Sequence, residues 1–192
     1  MNALKFWIAL MTLLAVAQAR AVVVDFEDLP AGSFGVGGTF SSAGISFDVI
    51  GYNGAGSQVT ISENSVTGNT QVFAGNSVGV NVDLPANTKL ISFDFGDFCG
   101  GCSTTGITIN GVASSPTVQL TALDNTTLGG ATINVVLGPA ATHQMTLTGS
   151  ITTFAIGGTE LALDNLRIAV PEPSTCLLAI CGFASVLFRR LG

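Results

Sequence analysis

The chain has 192 residues, 24 of them glycine, and a formal net charge of −6. Between Val22 and Val170 the only basic residues are Lys89 and Arg167, set against eleven carboxylates. Nucleic-acid binding requires clustered Lys and Arg to displace counterions from phosphate, so that partner class is excluded, whereas one-sided acidity suits an exported protein kept soluble by self-repulsion.

The chain opens "MNALKFWIALMTLLAVAQARA": Lys5, an apolar run from Phe6 to Val16, then small residues. This is the pattern of a cleavable signal peptide. Ala17-Gln18-Ala19 has the small-x-small form that signal peptidase accepts, and Ala19-Arg20-Ala21 is a shifted alternative. The apolar run is shorter than the ~20 residues that span a bilayer. Residues 1–21 are therefore expected to form a signal helix that is removed on export.

Residues 22–170, about 150 in number, suffice for one domain with its own core. Period-two alternation dominates. It marks "SQVTISENS" with Val59 and Ile61, "SVGVNVDLP" with Val78, Val80 and Val82, and "KLISFDFGD" with Ile91, Phe93 and Phe95. "TVQLTAL", "TINVVLG", "HQMTLTG" and "TTFAIGG" continue it. Asn110-Gly111 suits a type I′ hairpin turn. "PAGSFGVGG" and "YNGAGS" read as loops, and no window carries a helical stripe. Many short strands with frequent turns predict an all-β, antiparallel β-sandwich of jelly-roll-like form.

Cys99 and Cys102, in "GDFCGGCST", lie where disulfides persist after export. A redox motif needs a helix after the first cysteine, but "TTGITING" reads as a strand. Zinc needs four ligands, yet no second C-x-x-C exists, Cys176 and Cys181 lie in the C-terminal apolar stretch, and His143 is the only histidine. A local Cys99–Cys102 disulfide and a free thiol pair remain. No G-x-S-x-G stretch supplies a nucleophile for His143. Tyr52 is the one loop aromatic with an adjacent amide, Asn53, that suggests sugar stacking; Phe34 and Phe98 also fall in loops but suit a core.

"AVPEPS" stops the last strand, because its prolines remove donors and hold the chain extended. Ser174 to Phe188 is apolar or small and Arg189-Arg190 follows at once. As a helix the run is about 22 Å long, marginal for a ~30 Å hydrocarbon core. The arginines stay cytoplasmic under the positive-inside bias, which places the body outside the inner membrane. Pro171-Glu172-Pro173, a short transmembrane helix and Arg189-Arg190 near the end resemble the PEP-CTERM sorting signal of Gram-negative bacteria. The resemblance covers residues 171–192. It implies recognition by the membrane enzyme exosortase, cleavage near Pro171-Glu172-Pro173, and transfer of the body to the cell surface or extracellular matrix, in association with exopolysaccharide and biofilm.

Four acids at the two ends of the body stand out. Alternation places Asp164 with Ala162, Leu166 and Ile168, and Asp28 with Val22, Val24 and Phe26. A carboxylate on an apolar face needs donors or a cation. Calcium takes ~6–8 oxygen ligands and would satisfy Asp25, Glu27, Asp28 and Asp164 together. "DFEDL" and "LDNLRI" weakly resemble the terminal strands of galactose-binding-like jelly rolls and carbohydrate-binding modules, a likeness that implies paired terminal strands and a structural calcium. The alternative is that Asp164-Asn165 forms a bulge or turn and the acids are solvated or cap backbone N–H groups.

The sequence thus leads to an exported, non-catalytic surface or matrix protein. Signal peptidase and exosortase process it, the inner membrane holds it in transit, and extracellular polysaccharide is the expected partner. A secreted carbohydrate-active hydrolase with an unrecognised carboxylate pair is the alternative.

Overall fold

The alternating segments bury one face of each sheet by stacking into two layers. The computed structural model describes residues 19–52, 56–63, 70–74, 77–97, 105–115, 118–139 and 142–171. The stretch Ala21–Val170 is one compact unit. Its strands are β1 (Ala19–Val24), β2 (Gly32–Gly35), β3 (Thr39–Ser42), β4 (Ile45–Gly51), β5 (Gln58–Glu63), β6 (Thr70–Ala74), β7 (Val78–Val82) and β8 (Leu90–Asp97). They continue with β9 (Gly106–Ile109), β10 (Val112–Ala113), β11 (Thr127–Leu128), β12 (Ala131–Leu137), β13 (Thr142–Thr148), β14 (Phe154–Gly158) and β15 (Leu161–Pro171).

Among the described residues the larger sheet runs β11-β12-β13-β8-β15-β6-β5-β2, with β1 also on β15, and the smaller runs β10-β9-β14-β7-β4-β3. The ladders along both orders are antiparallel. The fold is therefore an antiparallel sandwich, and its opening and closing strands do pair.

The inward residues form one core. Ile91, Phe93, Phe95, Met145, Leu147, Leu163 and Ile168 come from the larger sheet; Phe47, Val80, Ile107, Ile109, Phe154 and Ile156 come from the smaller. The layers meet at Phe93 and Phe154, whose ring centroids are 5.5 Å apart. Full burial of such a side chain contributes roughly 1.5–3 kcal/mol.

At the β9–β10 turn both Asn110 (φ 51) and Gly111 (φ 77) are left-handed, as a type I′ turn requires. The Asn110 amide also ties neighbouring loops together. Its Nδ2 donates to the carbonyls of Gly129 (2.7 Å) and Ser150 (2.8 Å). Its Oδ1 accepts from the Thr152 N–H (2.7 Å), the Thr152 hydroxyl (2.9 Å) and the Thr153 N–H (3.3 Å).

Several expectations are corrected. Leu120–Leu123, within "TVQLTAL", is a turn of 3₁₀-helix, not a strand. Leu120 and Leu123 share its buried side, since residues three apart eclipse in that geometry. Gly32–Gly35, expected as a loop, pairs with β5 as an edge strand. Its Phe34 packs on Phe40 at 4.9 Å between centroids. The first strand ends at Val24 and Phe26 adopts φ 60, so Asp28 leaves the phase of Val22 and Val24 and lies exposed.

Among the described residues no helix is long and apolar enough to cross a membrane. The expected signal helix, except the strand residues from Ala19 onward, and the expected transmembrane helix lie outside the described residues.

Candidate functional site

Strand β8 alternates cleanly: Phe93 and Phe95 enter the core, so Asp94 between them faces outward. Register then builds a row across four strands. Val136 of β12 pairs with Gln144 of β13, Gln144 with Asp94, and Asp94 with Asp164 of β15. A second row on the same face carries Asn134, Thr146, Ser92 and Arg167.

Between those rows β15 has a bulge, with Asn165 and Leu166 lying between Asp164 and Arg167. Asn165 takes φ 49, a left-handed conformation that Asn tolerates. The extra residue returns Leu166 and Ile168 to the core, both 0% exposed, and shifts Asp164 out of their phase. Asp164 therefore does not share a face with Leu166 and Ile168, as simple alternation predicts. It is buried, and its Oδ1 accepts the Asn165 backbone N–H at 2.6 Å.

The bulge also aims Asn165 at Asp94. Asn165 Nδ2 donates to Asp94 Oδ2 (3.0 Å) and Gln144 Nε2 donates to Asp94 Oδ1 (3.1 Å). One carboxylate is thus held between two amides. These three residues line an open groove of about 460 Å³, walled by Val136, Pro139 and His143. The His143 ring leans on Phe95 at 5.3 Å between centroids, and its Nδ1 accepts the Gly138 N–H at 3.4 Å. The groove combines fixed donors and acceptors with an apolar wall, and Asp94 is the one acid among its described lining residues.

The acids singled out from sequence are placed differently. Asp25 accepts the N–H of Glu27 at 3.3 Å, and both residues are exposed. Asp28 clasps the β3–β4 turn: Oδ1 accepts the Ser42 hydroxyl and Oδ2 the Ala43 N–H at 3.0 Å. Those bonds, that from Ser42 foremost, hold its carboxyl below the usual carboxylate range. Among the described residues no group of three or more His, Cys, Asp or Glu side chains could hold a metal ion, so Asp25, Glu27, Asp28 and Asp164 do not gather as one ligand set. Asp164-Asn165 forms a bulge, and Asp28 accepts a backbone N–H.

Tyr52 is no stacking platform. Register sets Gly79, Gly157 and Gly106 in one row on the outer face of the smaller sheet. Tyr52 lies over Gly157 and Gly106 of that row, close enough that a Cβ on Gly157 would lie 3.0 Å from its Cγ and one on Gly106 2.5 Å from its hydroxyl oxygen. The side chain is buried and hydrogen-bonded to Thr108 and Ser114. Burial pushes its phenol upward in spite of those bonds. Phe98, Cys99, Cys102, Glu172, Pro173, Arg189 and Arg190 lie outside the described residues, and Pro171 is the last residue of β15.

No protein-family model matches the chain, and no curated protein or solved structure matches it.

Proposed function

We propose that this chain is an exported, non-catalytic surface or matrix protein. Its tail hands it to exosortase, and its body binds carbohydrate at the groove on the larger sheet. The observation that carries the binding reading is the Asp94 carboxylate gripped by Gln144 and Asn165 in an open groove beside Val136, Pro139 and His143. Sugar hydroxyls pair with carboxylates and amides, while a pyranose C–H face packs on an apolar wall. The volume lies within the ~300–1,000 Å³ usual for small-ligand sites. The sorting half rests on the signal-peptide pattern and on Pro171-Glu172-Pro173 with Arg189-Arg190.

The strand order is read as jelly-roll-like, since the chain changes sheet at β2–β3, β4–β5, β6–β7, β7–β8, β8–β9, β10–β11, β13–β14 and β14–β15. A hydrolase needs a second carboxylate across the cleft, and no groove residue favours that reading. A structural calcium is left out of the proposal because Asp28 is engaged by Ser42 and Ala43.

Two experiments test the two halves. Purified protein screened on a glycan panel is expected to bind without turnover, and Gln144→Ala is expected to weaken that binding. Hydrolysis that disappears when a carboxylate pair is changed overturns the non-catalytic reading. For sorting, alanines at Pro171, Glu172 and Pro173 are expected to leave unprocessed protein in the membrane. A mature surface form that still carries Arg189 and Arg190 overturns that half.

A further inference from the structure

We propose that the groove prefers glycans bearing free amino groups, cationic at neutral pH, over their N-acetylated or acidic counterparts; this rests on the glycan-binding reading above. Charge complementarity carries the inference. Among the described residues that line the groove, Asp94 is the one carboxylate and none is Lys or Arg. Each Asp94 oxygen accepts one amide N–H. An ionised carboxylate has about four acceptor sites, so it retains capacity for a ligand. The amides do not neutralise its charge; they fix its direction.

The surroundings reinforce the preference. The body carries eleven carboxylates against Lys89 and Arg167. Lys89 Nζ donates to Ser150 Oγ at 3.1 Å. Arg167 belongs to the neighbouring row, opposite Ser92, and is not a groove residue. A field of this sign draws in cationic chains and repels polyanions. An ammonium beside Asp94 then adds a charge-assisted hydrogen bond that an acetamide cannot supply. At a partly exposed site this amounts to about tenfold in affinity.

The test measures binding of glucosamine oligosaccharides, their N-acetylated counterparts and oligogalacturonate to the purified full chain by calorimetry, at low salt and at about 0.5 M salt. Parallel titrations use Asp94→Asn and Gln144→Ala, each checked for an unchanged melt. The glucosamine oligomer is expected to bind about tenfold tighter than the acetylated one. That advantage is expected to vanish in Asp94→Asn and to shrink in salt.

Equal binding of both oligomers, or tighter binding of oligogalacturonate, overturns the amine preference but leaves the glycan-binding reading standing if Gln144→Ala still weakens binding. Amine binding that Asp94→Asn leaves untouched reports only the acidity of the whole body, and it too overturns the assignment. Binding of none of the three oligomers overturns this inference, while the wider panel separately judges the underlying reading.

Discussion

The two outer faces of the sandwich are built by the same device, cross-strand register, and come out opposite. On the smaller sheet register lines up Gly79, Gly157 and Gly106, and Tyr52 closes over the bare backbone. On the larger sheet it lines up Val136, Gln144 and Asp94 with the bulged β15, leaving a groove in the open. One row has lost its side chains and is sealed. The other keeps polar side chains and stays accessible. Rows of outward residues thus decide whether a sheet face is structural or available to a ligand.

The sharpest way to break this contrast is Gly157→Ala. An added Cβ would meet Gly79 Cα at 2.6 Å, Val78 O at 2.8 Å and Tyr52 Cγ at 3.0 Å, mostly backbone that cannot move aside. A loss of about 3 kcal/mol is expected, or roughly 6–12 °C in melting temperature for a domain of this size. A melt within ~2 °C of the parent would show that the glycine row is not a packing requirement.

Tyr52→Phe is expected to cost less, about 1–2 kcal/mol, by leaving its partners Thr108 and Ser114 short of a hydrogen bond. It also has a pH signature. A phenol raised above its unfolded value of about 10 contributes stability that is complete below that pH and lost as pH rises through the folded value. Alkaline melts of the Phe variant should lose that component of the slope.

Asp28→Asn tests the edge of the smaller sheet, with an expected loss under about 1 kcal/mol at neutral pH for so exposed a carboxylate. The sign is opposite to that of Tyr52. A lowered carboxyl contributes above its unfolded value near 3.9, and the contribution fades as pH falls through the folded value. Parent and variant should therefore converge in strong acid; a gap that persists there sinks the clasp. Gln144→Ala closes the series. On an open face it should shift stability by no more than about 0.5 kcal/mol. A large destabilisation would mean that the groove row is as structural as the glycine row.

Local patterns foretold most of the strands. Val59 and Ile61, Val78 to Val82, and Ile91 to Phe95 alternate because one sheet face is buried, and β5, β7 and β8 lie there. Asn110-Gly111 announced its turn because few dipeptides accept two left-handed residues. Phase failed where the backbone leaves the extended state. Phe26 takes a positive φ that its residue type does not announce, so Asp28 leaves the face that alternation predicts; Asn165 is of a type that tolerates positive φ, and the bulge at Asp164-Asn165 is one of the two readings the sequence leaves open.

The groove was not legible at all. Asp94 looked like any outward strand residue, and its partners Gln144 and Asn165 lie 50 and 71 positions away. A signal existed in the polar residue between two inward phenylalanines, but only register names what stands opposite. Tyr52 is hidden from the sequence for a related reason: Gly106 and Gly157, which receive its ring, come from two different strands.

The Asn110 amide holds a last consequence, one of chemical ageing. In a flexible chain an Asn-Gly pair cyclises readily: the following backbone nitrogen attacks the side-chain carbonyl carbon, ammonia leaves, and water then opens the cyclic imide to aspartate or to its backbone-rearranged isomer. Here Nδ2 is pinned by Gly129 and Ser150, and Oδ1 by Thr152 and Thr153. Gly111 nitrogen cannot swing into line without breaking those bonds. The β9–β10 turn is therefore also guarded against the commonest slow damage to such a dipeptide, and deamidation at this position should track local opening of the loops rather than time alone.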